Sequence, residues 1–162
     1  MERLFAPWRH SYVTSSHSNE DAACVMCEAP RAPAEDSLVV HVGAAAFVLM
    51  NLYPYSSGHT MIAPLRHVGC LADAETDELT EMMGLARRLE TIIGELYEPD
   101  GLNVGMNLGA AAGAGVADHI HLHVVPRWGG DANFMTTVGH TRVIPEDPRE
   151  ACRQLRERFW RS

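Results

Sequence analysis

Three histidines stand at every second position in the run DHIHLHVVPRW: His119, His121 and His123. Their neighbours Ile120, Leu122 and Val124 are apolar. A period of two is strand geometry, so the run predicts a strand over 119–125. Three imidazoles then share one face and three aliphatic side chains the other. Burying the aliphatic face builds a sheet core and leaves a row of nitrogen donors or nucleophiles opposite it. The plainer alternative is a set of satisfied histidines on a solvated strand face. The chain holds nine histidines in 162 residues. Chance at that frequency makes a pair more readily than an alternating triplet.

The rest of the chain supplies partners for such a strand. Strands are predicted at 38–42 and 46–51, joined by a tight turn at Gly43, and at 60–63, closed by Pro64. A fourth strand is expected at 102–107, where Gly105 suggests close packing against the backbone. A long helix is expected over 73–96, with Asp73 as N-cap and Leu79, Met82, Ala86, Leu89, Ile93 and Leu96 on its buried face. Arg87 and Arg88 fall on its outer side. Pro148 opens a last helix to about residue 159, with Cys152, Leu155 and Phe159 on one stripe. Residues 141–145 read as extended. Short strands, one long helix and a C-terminal helix give an α+β fold on a five-stranded antiparallel sheet.

Residues 1–23 read as an irregular arm anchored by Phe5, Trp8 and Tyr12, and 24–162 as a single domain. The net charge of −8 argues against nucleic acid as a partner. A small anionic ligand remains compatible with it. No stretch is long and apolar enough to span a membrane. The opening MERLFAPWRH lacks a following apolar region, so no secretion signal is expected and the predicted location is cytoplasmic.

Four cysteines without a secretion signal do not suggest a disulfide framework. Cys24 and Cys27 form CVMC, a spacing common to zinc half-sites and redox pairs. A redox pair should open a helix. The following EAPRAPAED has no helical period, which favours zinc, although two unconnected loop thiols fit as well. Cys70 and Cys152 sit among apolar residues and read as core thiols.

Neutral imidazole is nucleophilic at pH 7 and can take a phosphoryl group, while a second imidazole on the same face donates to an oxygen. The small-residue loop over 109–118, which holds Gly113 and Gly115, can cradle phosphate through its N–H groups. It reads equally as a connection that lets the chain turn. It matches neither a P-loop nor a dinucleotide fingerprint. Asp118 and Asp131 are isolated, so a two-metal phosphatase fits poorly. There is no serine nucleophile elbow. The constellation suits nucleotidyl transfer through a histidine intermediate.

The stretches NLYPYSSGH, MNLGAAAGAG and HIHLHVVPRW resemble the histidine triad (HIT) family of nucleotide hydrolases and transferases. The opening FAPWR and the segment WGGDANFM resemble its bacterial diadenosine tetraphosphate phosphorylase branch. The resemblance implies the HIT-like fold, a nucleotide substrate and a homodimer. It also implies roles. His121 is the nucleophile, His123 contacts phosphate and the bridging oxygen, His119 braces the site, and His59 supports the nucleophile. Asn51 holds the ribose region and Asn107 faces the α-phosphate. Zinc-bearing members suggest a structural zinc on Cys24, Cys27, His67 and His119.

Hydrolase relatives carry glutamine at the position of Asn107 and Gly-Gln before the triad. Asn107 and the loop ending at Gly115 therefore point to inorganic phosphate as acceptor. The expected enzyme is a phosphorylase giving ADP and ATP from diadenosine tetraphosphate. The alternatives are a hydrolase giving AMP and ATP, a nucleoside phosphoramidate hydrolase, or a nucleotide-binding protein without activity.

Overall fold

A computed structural model describes residues 24–33, 37–131, 138 and 146–161. The expected arm and the 141–145 segment lie outside them. The elements in chain order are α1 (Val25–Glu28), β1 (Val39–Val42), β2 (Ala46–Met50), β3 (Thr60–Pro64), α2 (Thr76–Tyr97), β4 (Gly101–Met106), β5 (Leu122–Arg127) and α3 (Pro148–Arg161). Short 3-10 turns follow α1, precede α2 and open the 109–115 loop. The five strands form one antiparallel sheet in the order β1-β2-β3-β5-β4. This is the expected α+β, HIT-like architecture with one long helix and one C-terminal helix.

Strand alternation divides the sheet into two faces. Ala46, Val48, Met50, Ile62, Leu122 and Val124 pack against Leu89, Ile93 and Leu155 of the two helices. Phe47, Leu49, Met61 and Ala63 point the other way and pack with Met26 and Cys24 of the CVMC segment. Both faces are covered, so β2 and β3 are buried along their whole length. A register irregularity between Val39 and His41 turns His41 onto the helical face. There it stacks on Phe159 at 5.0 Å, as a bulge in an antiparallel pair allows.

Glu81 of α2 closes the β1–β2 turn. Its carboxylate accepts the N–H groups of Ala44, Ala45 and Ala46. Burial pushes this carboxyl up, but the three N–H bonds outweigh it and hold it below its ordinary value. A side chain at Gly43 would run into the Glu81 carboxylate, so the turn needs glycine there.

Several local expectations change. The long helix starts at Thr76, and its capping residue is Glu75, whose N–H donates to the Glu78 carboxylate at 2.8 Å. Asp73 lies instead in the preceding 3-10 turn, where its carboxylate accepts from the Cys70 thiol. Cys70 is therefore exposed, and only Cys152 is a core thiol. Arg88 does not face outward: it lies over the Phe159 ring and donates to the Phe159 carbonyl. Nothing packs close to Gly105, which sits on the edge strand β4. CVMC does open a helix, but of only four residues.

Candidate active site

The register of β3 against β5 builds the first half of the site. Met61 pairs with His123 and Thr60 with Val124. His59, just before β3, thereby lies beside His123, with Nε2 to Nδ1 at 3.0 Å. The turn before His59 sets its tautomer. The Tyr55 N–H donates to His59 Nδ1 at 3.0 Å. His59 Nδ1 is therefore the acceptor nitrogen, and its proton sits on Nε2. That N–H donates to His123 Nδ1, which places the His123 proton on Nε2. Burial first, and the nearby His121 second, bring His123 down to about 4. It is neutral at pH 7.

The second half lies where the chain leaves the sheet. The β5 ladder begins at Leu122, so His119–His121 precede it rather than pairing within it. The Ile120 N–H instead bonds the Val68 carbonyl. The period-two alternation still holds at Leu122, His123 and Val124, with the aliphatic pair on the helical face. His121 is buried and donates Nδ1–H to the His119 carbonyl at 2.9 Å. Its Nε2 takes no part in that bond. The His121 and His123 rings meet edge-on at 4.9 Å.

His119 is fully buried and donates Nε2–H to the Pro64 carbonyl at 2.9 Å. This leaves Nδ1 facing Cys24 Sγ at 3.4 Å and Cys27 Sγ at 3.6 Å. Cys27 Sγ also lies 3.4 Å from His67 Nδ1. All four ligand atoms fall within 4.8 Å of one another. Ideal tetrahedral zinc bonds put sulfur and nitrogen ligands about 3.6 Å apart. The Cys₂His₂ cluster therefore fits zinc in both donor type and spacing. The carbonyl that orients the His119 ring is the outer partner expected for a metal-bound histidine. Beside it, Glu78 holds a two-pronged ion pair with Arg66 at 3.0 and 2.8 Å, and this pairing keeps the Glu78 carboxyl low.

Asn51 meets His59 with Nδ2 3.4 Å from Nδ1 and accepts the Tyr53 N–H at 2.9 Å. Asn107 follows β4 directly, beyond the Met106–Leu122 pair, and is half-buried. Gly113 and Gly115 are half-buried in the loop that runs into the histidines. Gly113 takes a left-handed φ of 92° that favours glycine. The N–H groups of Ala112, Gly113 and Ala114 bond within the loop to the Gly109 and Ala110 carbonyls. A phosphate cradle there would have to use the residues that follow.

Three residues near the histidines were given no role by the sequence reading. Tyr55 stacks on His123 and meets His59 at a tilt of 40°. Tyr97, the last residue of α2, donates its hydroxyl to Glu146 at 2.9 Å, and its ring fills the space where a Gly58 side chain would go. Burial raises the carboxyl of Glu146 above its ordinary value. Only the fold brings 55, 97 and 146 together, although the Tyr-rich turn before Gly58-His59 was visible.

One antiparallel sheet thus carries the adjacent imidazoles of His121 and His123 beside a Cys₂His₂ cluster. The family model "HIT domain" matches residues 33–130. The AP-4-A phosphorylase of Mycobacterium tuberculosis is 40% identical over 161 residues, 96% of this chain and 83% of that protein. A zinc-bound histidine triad family protein of Mycobacterium smegmatis superposes with TM-score 0.68 and 28% identity, covering 86% of this chain and 94% of that one. A hypothetical histidine triad nucleotide-binding protein of Sulfolobus tokodaii gives TM-score 0.67 at 25% identity, covering 85% and 93%. The chain belongs to the HIT-domain family.

Proposed function

We propose that this protein is an enzyme that cleaves dinucleoside polyphosphates by nucleotidyl transfer through His121, with inorganic phosphate as acceptor. The observation that carries the reading is a pair of hydrogen bonds: His121 turns Nδ1 to the His119 carbonyl at 2.9 Å, which keeps Nε2 out of that bond, and His123 turns Nδ1 to His59 Nε2 at 3.0 Å. His121 Nε2 attacks the α-phosphorus, and the bond from phosphorus to the bridging oxygen breaks. His123 Nε2–H lies on the side where negative charge develops on that oxygen. Diadenosine tetraphosphate would thereby release ATP and leave AMP on His121. An oxygen of inorganic phosphate then attacks the same phosphorus, the P–N bond breaks, and ADP departs with the imidazole restored.

Asn51 is assigned to the ribose region and Asn107 to the α-phosphate, with Gly113 and Gly115 lining the acceptor side. His59 supports the nucleophile through His123. Zinc on Cys24, Cys27, His67 and His119 supplies folding free energy when bound and no step of the reaction. The phosphate acceptor is supported by the likeness to a relative named as a phosphorylase, and by Asn107 and the small-residue loop. We read residues 24–162 as one domain. A homodimer is supported by a groove of about 470 Å³ between α2 and the edge strand β4, lined by Met83, Ala86, Pro99, Leu102 and Val104. Among the described residues no helix is long and apolar enough to cross a membrane.

Product chromatography at graded phosphate tests the reading. Phosphate should raise turnover of diadenosine tetraphosphate and change the partner of ATP from AMP to ADP. If AMP remains the sole partner at millimolar phosphate, the enzyme is a hydrolase.

A further inference from the structure

The turn over 52–58 holds two exposed aromatic rings, and one of them, Tyr55, packs against the histidine cluster. Tyr53 is 69% exposed and Tyr55 41%. Their backbone is pinned on three sides. Tyr53 N–H donates to Asn51 Oδ1, Tyr55 N–H to His59 Nδ1, and the Ser56 hydroxyl to the Pro126 carbonyl. Tyr55 lies 4.6 Å from His59 and 5.9 Å from His123, nearly parallel to the latter at 25°. Tyr55 thus lies against His123 together with His59, while His121 meets His123 edge-on.

Direction follows from the chemistry. In an in-line displacement the leaving group departs opposite the attacking nitrogen. With His121 as nucleophile and His123 next to the bridging oxygen, the departing phosphates run past His123 towards Tyr55. What lies at their far end is a nucleoside. We infer that Tyr55, with Tyr53 beside it, is the stacking platform for the base of the departing nucleotide, and that this platform makes the site prefer dinucleoside polyphosphates over mononucleotide ones. The inference rests on the nucleotidyl-transfer reading and specifies its leaving-group side. A pinned tyrosine is well suited to such stacking, because it offers a flat face at small loss of side-chain freedom. Base–aromatic stacking of the usual strength corresponds to about fivefold or more in affinity.

The test compares diadenosine tetraphosphate with adenosine 5′-tetraphosphate, which keeps the phosphate chain but lacks the second nucleoside. The zinc-loaded full chain, Tyr55→Leu, Tyr55→Phe and Tyr53→Ala are each assayed on both. In the parent, kcat/KM should favour the dinucleotide. In Tyr55→Leu that ratio should fall at least fivefold, mostly through KM for the dinucleotide. Tyr55→Phe should restore it, and Tyr53→Ala should lower it less. A parallel loss on both substrates in Tyr55→Leu, with the ratio kept, makes Tyr55 a brace for His59 and His123 and overturns the platform alone. A ratio unmoved because neither rate changes overturns it too. A parent inactive on both overturns the nucleotidyl-transfer reading and the platform together.

Discussion

The two faces of the sheet are built from the same strands and do opposite work. Towards α2 and α3, Val48, Ile62, Leu122 and Val124 meet Leu89, Ile93 and Leu155 in a predominantly apolar core. On the other face Phe47, Met61 and Ala63 make a smaller core that ends against the CVMC segment. There the next positions along β5 and its approach are imidazoles. Each is held by one specific bond: His119 to Pro64 O, His121 to His119 O, His123 to His59. The helical face tolerates repacking because dispersion and burial are non-directional. The histidine face depends on which nitrogen carries each proton. Stability and chemistry are therefore separable in this molecule, one residue apart along the same strand.

Changing the two faces one at a time should show this. His121→Asn should lower turnover by about a thousandfold or more, because an amide cannot form the covalent intermediate. Its circular dichroism and urea midpoint should stay near those of the parent. Residual turnover within tenfold would reassign the nucleophile. Leu89→Ala, on the opposite face, should cost about 2–5 kcal/mol in urea unfolding through lost burial and a cavity. Its kcat, corrected for folded fraction, should stay within about twofold.

Cys24→Ser probes the seam between the faces. The protein purified without chelator should hold zinc, read by elemental analysis, and the variant should lose it. The melting temperature should fall by about 5 °C or more, since bound structural metal contributes folding free energy. A zinc-free parent protein would reduce CVMC to a packing segment.

The smallest expected effect is a pH dependence of stability. Burial lowers the pKa values of His41, His119 and His123, the last to about 4. Unfolding returns them to about 6.5. Between those values the unfolded chain binds more protons than the folded one, so stability falls as pH falls. The His123 contribution is fully present above about pH 6.5 and is lost as pH falls through about 4. Urea midpoints measured across that window should decline, and His123→Gln should decline less steeply. Equal slopes would mean that His123 is not held neutral by the fold.

The local pattern carried much of this. Alternation at 119–125, three-four spacing over the long helix, Pro64 and the Gly43 turn placed five strands and two helices to within a few residues. Those signals are short-range, because they follow from side-chain periodicity and backbone restrictions that any chain obeys. Cysteine spacing marked a zinc half-site, while His67 and His119 followed from the family resemblance and met the thiols only in the folded chain. Where expectation from sequence failed, the cause was the local chain path around the start of α2. Cys70 looked apolar in context yet is exposed, because the 3-10 turn at Leu71–Asp73 carries it outward. The helix cap shifted from Asp73 to Glu75, since Glu78 answers both the Glu75 N–H and Arg66.

The sequence by itself determined that imidazoles alternate with aliphatic residues where the chain enters β5, which puts His123 opposite the Leu122–Val124 face. Only the tertiary structure decided the protonation of each imidazole. His119 and His123 each meet an oxygen or nitrogen that another segment brings within about 3 Å, whereas His121 bonds the His119 carbonyl two residues away; pairing across strands, unlike periodicity, is not written in neighbouring residues.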